Sequence, residues 1–151
     1  MILLDTNVIV ASLNLDASRH RECRAVVDAA IGRRLPGVVF ARVLLEAYAV
    51  VTDSRRVRKA VAPEPAWNDM EALAHSVPVI YPQRNALNEF ARVVRTRPPK
   101  GQDAFDAFIV AQMRAAGVGS ICTLDSQDFV GYEGVSSETP DATLQRFGLV
   151  P

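Results

Sequence analysis

The sequence predicts an α/β fold, a three-layer α/β/α sandwich around a central parallel sheet of about four to five strands. Short apolar runs recur near residues 2, 38, 79, 121 and 135. Segments whose apolar residues follow helical spacing separate these runs, and strand–helix alternation is the pattern of parallel strands joined by helical crossovers. No internal repeat, low-complexity tract or linker interrupts the alternation, so residues 1–151 read as a single domain. A chain of this length buries roughly two thirds of its unfolded surface and needs no cofactor to fold.

Taken in order, Ile2-Leu3-Leu4 is a continuous apolar run suited to a buried parallel strand, and Val8 to Leu13 begin a helix. Leu13 to Ser18 form a polar connection, with Asp16 and Ser18 as candidate caps for a helix from Arg19 to Ile31. Cys23, Val26, Val27, Ala30 and Ile31 mark the inward face of that helix, and Gly32 suits its C-terminal cap. Pro36-Gly37 turns the chain into a strand at Val38-Val39-Phe40, followed by a helix from Ala41 to about Thr52. The run Ser54 to Lys59 is the densest basic stretch, expected as a solvated helix face or as a phosphate contact. Pro63 and Pro65 are expected to break the chain within a helical hairpin, whose register resumes from Trp67 to Ala74 with Met70 and Leu73 inward and His75 at its end.

Val77 to Tyr81 form a third strand that starts near Pro78. Gln83 to Val94 read as an amphipathic helix with Leu87, Phe90, Ala91 and Val94 inward, and Arg95 to Gly101 as a basic, rigid loop. A helix from Asp103 to Ala116, ended by Gly117, leads to a strand from Ser120 to Leu124 and a tight turn at Ser126 to Phe129. Val135 marks an edge strand, and Thr139-Pro140-Asp141 starts a last helix that runs to Gly148.

The 17 basic and 17 acidic side chains cancel, so the molecule as a whole advertises no polyanionic partner and any such affinity must be local. All basic residues except Lys59 and Lys100 are arginine, the side chain that pairs bidentately with phosphate. Cys23 and Cys122 fall on apolar positions and are expected as reduced core thiols. The N-terminus enters a strand at once, and no run approaches the length of a membrane span. The expectation is a soluble cytoplasmic protein without a membrane partner.

Four acids stand alone in apolar surroundings. Asp5 follows the first strand, Glu46 is the only charge between Val43 and Val51, Asp106 the only one between Ala104 and Val110, and Asp125 follows the fourth strand. Any one of them has an ordinary reading, and Asp5 by itself reads as a helix N-cap. An isolated carboxylate in a buried segment costs several kcal/mol, and converging carboxylates raise one another's pKa values. A divalent cation removes that penalty, so the four are expected to meet in one metal pocket. With no histidine or cysteine cluster beside them, the oxygen donors suit Mg²⁺ or Mn²⁺ better than Zn²⁺. Such a site suits hydrolysis of a phosphodiester. Asp103 caps its helix or joins the site, and Asp128 is a fifth ligand or forms the turn. Arg55, Arg56, Arg58, Lys59, Arg95, Arg97 and Lys100 are candidate contacts to a phosphate backbone, on charge alone.

These segments together resemble the PIN domain nucleases, and within them the VapC type of toxin ribonuclease, over essentially the whole chain. The resemblance is carried by Leu4-Asp5-Thr6-Asn7, by Glu46, by Asp106 to Ala111 and by Cys122 to Phe129. It implies a PIN-like, Rossmann-like sheet and a quartet of Asp5, Glu46, Asp106 and Asp125 binding one or two Mg²⁺ or Mn²⁺ ions. It implies that Thr6, Asn7 and Thr123 orient ligands or water. The implied reaction is endonucleolytic cleavage of RNA to 5′-phosphate and 3′-hydroxyl ends, by a homodimer held in check by a cognate antitoxin protein. Many members carry Ser or Thr five residues before the helix glutamate; here that residue is Ala41.

Three other readings compete with the toxin. An RNA-processing PIN nuclease without antitoxin has the same site. A phosphomonoesterase with Asp5 as nucleophile wants a second acid two residues on, where this chain has Asn7, and a lysine, for which Lys100 is the candidate. A non-catalytic binding module is disfavoured by the presence of all four acids.

Overall fold

The computed structural model describes residues 1–151. Five strands form one sheet in the order β3-β2-β1-β4-β5, and every neighbouring pair is parallel. They are β1 (Ile2–Leu4), β2 (Gly37–Phe40), β3 (Val79–Ile80), β4 (Ser120–Cys122) and β5 (Ser136–Glu138). Seven helices flank them: α1 (Thr6–Leu13), α2 (His20–Ile31), α3 (Ala41–Val51), α4 (Pro63–Ser76), α5 (Ala86–Thr96), α6 (Asp103–Ala116) and α7 (Pro140–Arg146). The result is the α/β sandwich expected from the alternation of runs.

The two central strands explain their own composition. Ile2, Leu3 and Leu4 are each at most 1% exposed, and Ile121 and Cys122 are fully buried, because helices cover a parallel sheet on both sides. The edges follow another rule. β3 has only two residues, both half-buried, and Pro78 contributes its carbonyl to Val39 at 3.0 Å without needing an N–H. β5 is Ser-Ser-Glu, a polar strand on the outer edge beginning one residue after the expected Val135. Gly37 permits the close packing of β2 on α2, since a Cβ there would lie 2.6 Å from that of Ala30.

Several local expectations are corrected. Pro63 and Pro65 do not break a helix but occupy the first turn of α4, where the N–H they lack has no partner to lose. Neither Asp16 nor Ser18 caps α2, which begins after Arg19 without a side-chain cap. The basic run from Ser54 to Lys59 is a succession of turns rather than a helix face. On α5 the inward row is Ala86, Phe90 and Val93, with Phe90 edge-on to Phe108 of α6 at 5.6 Å between ring centroids. Leu87 and Val94 face outward, Leu87 being 70% exposed. Thr139 caps α7 as expected, its hydroxyl accepting from the Ala142 N–H, and Gly117 ends α6 in the left-handed conformation at φ +68°.

Chain connectivity fixes where a site can form. From β1 the sheet grows to β2 and β3 on one side, and then resumes with β4 and β5 on the other. The β1/β4 pair is therefore the point at which the winding reverses, and the crevice above the carboxyl ends of strands at such a point is where open parallel sheets bind ligands.

Candidate active site

A cleft of about 520 Å³ opens at that place, lined by Asp5, Glu46, Asp106, Asp125 and Asp128 among others. Five different segments deliver them. Asp5 leaves β1, Glu46 projects from α3, Asp106 from the first turn of α6, Asp125 follows β4, and Asp128 lies in the 3₁₀ turn Ser126–Phe129. Two other sizeable clefts share no lining residue with this one: that around Arg33, Arg34 and His75 contains no carboxylate, and that around Arg97 and Arg114 has Glu89 and Glu133.

Asp5 is 8% exposed and serves two ends at once. It is the N-cap residue of α1, where one carboxylate oxygen accepts the Thr6 N–H at 2.7 Å, and its other oxygen accepts the Thr123 hydroxyl at 2.6 Å. Both the capping reading and the site reading thus apply to one side chain. Burial pushes its carboxyl up to about 6; the two hydrogen bonds oppose the rise, and the charges of Glu46 and Asp106 add to it. Asp106 is also raised, first by burial, then by Asp128, with Glu46 and Asp103 adding and Arg42 opposing.

Thr123 shows how closely the polar atoms are assigned. Its oxygen accepts the Asn7 amide at 3.0 Å and the Asp125 backbone N–H at 3.1 Å, which leaves its single proton for Asp5. Asn7 donates in addition to Asp125 at 3.0 Å and accepts the Leu124 N–H at 3.1 Å. Thr6 donates to Glu46 at 3.1 Å. Thr6, Asn7 and Thr123 thus each hold one of three carboxylates, tying β1, α3 and the segment after β4 together.

The remaining candidates divide. Asp103 is exposed, does not line the cleft and makes no capping hydrogen bond, since it is already the first residue of α6 and Gln102 precedes it. Of the seven basic candidates only Arg56 lines the cleft. Arg55 is engaged by Asp53 at 2.9 Å, Lys59 lies 3.8 Å from Asp16, and Arg97 stacks on Tyr132 at 4.4 Å and donates to the Val130 carbonyl. Arg58, Arg95 and Lys100 are exposed and make no ion pair.

Among the cleft residues that the sequence does not single out are Arg42 and Phe105. Arg42 lies four residues before Glu46, with 3.8 Å between the charged groups, and its guanidinium sits over the Phe105 ring at 5.1 Å. In sequence it looks like half of an ordinary i,i+4 pair on a solvated helix face, and nothing local marks it out.

The donor set is that of a hard cation: carboxylates, with neither thiolate nor imidazole among the lining residues. Their mutual repulsion at Asp5 and Asp106 is what a cation relieves. No three of them form a group that grips one ion together as they stand; Glu46 accepts from Thr6 and Asp125 accepts from Asn7.

The sequence matches the model of the PIN domain family over residues 2–133. No curated protein matches it significantly. Among solved structures, the fold is similar to Mycobacterium tuberculosis VapC20, described as a sarcin-ricin loop cleaving toxin, with 20% identity, TM-score 0.59, and 89% of this chain and 98% of that one covered. It is similar to a chain of FitAcB from Neisseria gonorrhoeae, with 19% identity, TM-score 0.67 and coverage of 93% and 98%. It is also similar to a chain of FitAB bound to an IR36 DNA fragment, with 21% identity, TM-score 0.65 and coverage of 93% and 95%.

Proposed function

Because the chain belongs to the PIN domain family, we propose that it is a divalent-metal-dependent endoribonuclease that hydrolyses RNA phosphodiesters to 5′-phosphate and 3′-hydroxyl ends, and that it is the toxin of a type II toxin–antitoxin pair. The observation that carries this reading is the gathering of Asp5, Glu46, Asp106 and Asp125 in one cleft at the winding reversal.

A bound Mg²⁺ or Mn²⁺ would supply an acidified water and a counter-charge for the phosphorane-like transition state. Asp5, Glu46, Asp106 and Asp125 would hold the metal. The chain does the rest. Thr123 and the Thr6 N–H fix the orientation of the Asp5 carboxylate, and Asn7 sets Asp125 against the end of β4. Precise placement before reaction is where such groups contribute most to rate. Asp128 and Asp103 add negative charge near Asp106 and so raise its demand for a cation. Arg56 and Arg42, the two cationic side chains that line the cleft, would meet phosphate oxygens.

The toxin assignment rests on the resemblance to VapC proteins and is supported by the fold shared with VapC20. It brings with it a cognate antitoxin, a homodimer and a cytoplasmic site of action. Exposed Leu45, Trp67 and Leu87 offer apolar surface for such partners. No helix is long and apolar enough to cross a membrane. An RNA-processing role without antitoxin would use the same chemistry. The phosphomonoesterase reading is less well supported, because Lys100 does not line the cleft and Asn7 is committed to Thr123, Leu124 and Asp125.

The test is to incubate the purified chain with long structured RNA in Mn²⁺, in Mg²⁺ or in chelator, and to map the new 5′ ends. Discrete metal-dependent cuts bearing 5′-phosphate, absent from Asp5→Asn, are expected. Metal-independent cutting, or full activity in Asp5→Asn, would refute the assignment.

A further inference from the structure

Phe105 is an exposed aromatic ring next in sequence to the site acid Asp106, in the first turn of α6. It remains 53% exposed although it lines the cleft and although the Arg42 guanidinium lies over it at 5.1 Å. Exposed apolar side chains are common and most need no explanation. This one is set in an acidic cleft, beside a cation whose own position is anomalous.

Arg42 is the second residue of α3, a helix with no side-chain cap and no acid in its first turn. A cation there opposes the helix dipole, and the i,i+4 contact with Glu46 is all it offers the helix in return. Its nearest carboxylate is 3.8 Å away, and its one hydrogen bond, to the Phe105 carbonyl, is long at 3.5 Å. Most of the guanidinium's five N–H groups therefore have no close acceptor. A planar cation with free donors, lying on an aromatic ring at the mouth of the cleft, is the pairing that grips a phosphate and its base together.

Resting on the nuclease reading, we propose that Arg42 and Phe105 form a nucleotide clamp that takes one unpaired residue of the RNA next to the scissile bond, Phe105 stacking its base and Arg42 binding its phosphate. Stacking on Phe105 requires a base already free of its own duplex partners. The clamp thereby directs the enzyme to single-stranded loops and ends rather than to continuous duplex. The face of the ring discriminates weakly among bases, so the clamp selects for unpairedness more than for sequence.

The test uses a short single-stranded oligoribonucleotide carrying 2-aminopurine, bound to the full chain in the Asp5→Asn background so that it is not cut. Phe105→Leu is expected to weaken binding about tenfold and to abolish the stacking quench, while Phe105→Tyr keeps affinity within about twofold. Arg42→Ala is expected to lower the slope of log affinity against log salt by about one, and Arg42→Lys, which keeps the charge but not the plane, to weaken binding as well. In the cutting assay with Asp5 intact, Phe105→Leu should raise KM and leave kcat nearly unchanged, since stacking is made before and during the reaction. Equal affinity, quench and KM in Phe105→Leu would overturn the clamp while leaving the nuclease reading standing. A parent protein that cuts no RNA in Mn²⁺ overturns the nuclease reading instead. The clamp is then judged by binding alone, where absent affinity, or affinity equal to that of Phe105→Leu, overturns it.

Discussion

Replacing Asp5 by asparagine separates what the carboxylate does for the fold from what it does for the reaction. In the folded chain burial pushes its carboxyl up to about 6 from the ordinary 3.8, so above neutral pH the native state holds a charge that the unfolded state would hold more easily. The difference amounts to about 3 kcal/mol of lost stability at pH 7.5. Its sign follows from proton counts: between pH 4 and 6 the native state binds more protons than the unfolded one, so stability falls as pH rises through that window. By pH 4.5 the loss has shrunk to about 1 kcal/mol.

Asparagine carries no charge and escapes this term, but it offers one acceptor to two donors, the Thr6 N–H and the Thr123 hydroxyl. One donor left facing an amide NH₂ costs about 1–3 kcal/mol at any pH. In chelator, Asp5→Asn should therefore range from equal to the parent to about 2 kcal/mol more stable at pH 7.5, and from equal to about 2 kcal/mol less stable at pH 4.5. Urea unfolding at the two pH values measures it. The quantity to watch is the change in the stability difference, about 2 kcal/mol in favour of the variant as pH rises, because the hydrogen-bond loss cancels from it. A difference that does not change with pH, or that moves against the variant, would refute the buried-charge argument.

Other consequences are as direct. Mn²⁺ at about a hundred times its Kd should stabilise the parent by about 2.7 kcal/mol in the same unfolding assay, and Asp106→Asn should lose most of that gain. Its affinity should fall about tenfold from pH 7 to pH 5, because below about 6 the ion must displace a proton from Asp5; calorimetry in buffers of different ionisation enthalpy would count that proton. Thr123→Val removes the donor to Asp5 and the acceptor for Asn7 and the Asp125 N–H, and should destabilise by about 2–4 kcal/mol and abolish cutting, with Thr123→Ser restoring both. Gly117→Ala meets no atom within 4 Å, so only the strain of φ +68° is felt, and about 1 kcal/mol should be lost by denaturant melting with activity intact.

The parts of this molecule that were legible in the sequence are those whose burial is total. Ile2 to Leu4, Ile121 and Cys122 announce themselves because strands covered on both faces can hold almost nothing but apolar residues, and the candidate acids Asp5 and Asp125 that follow them stand out against that background. β5 was placed only by its flank, since Ser-Ser-Glu at an edge is under no such pressure. The register of α5 misled because Leu87 and Val94 keep helical spacing on a face that meets no neighbour here. The basic run Ser54 to Lys59 is a set of turns and not a helix face; charge density says nothing about backbone conformation. Arg42 and Phe105 were invisible for a different reason, since their meaning comes from a contact between α3 and α6 that no local pattern encodes.

The bond from Thr123 to Asp5 spans 118 positions of chain. A ribosome making this protein has therefore long since released β1 when β4 emerges, and until then the β1–β4 pairing that assembles the cleft has no second strand. Closing so distant a contact is slow relative to local helix formation. The consequence is temporal: before β4 is made, Asp5 and Glu46 are already joined through the β1–β2 pairing and the Thr6–Glu46 bond, but the cleft still lacks Thr123 and Asp125, so the proposed site is completed only after these residues have emerged.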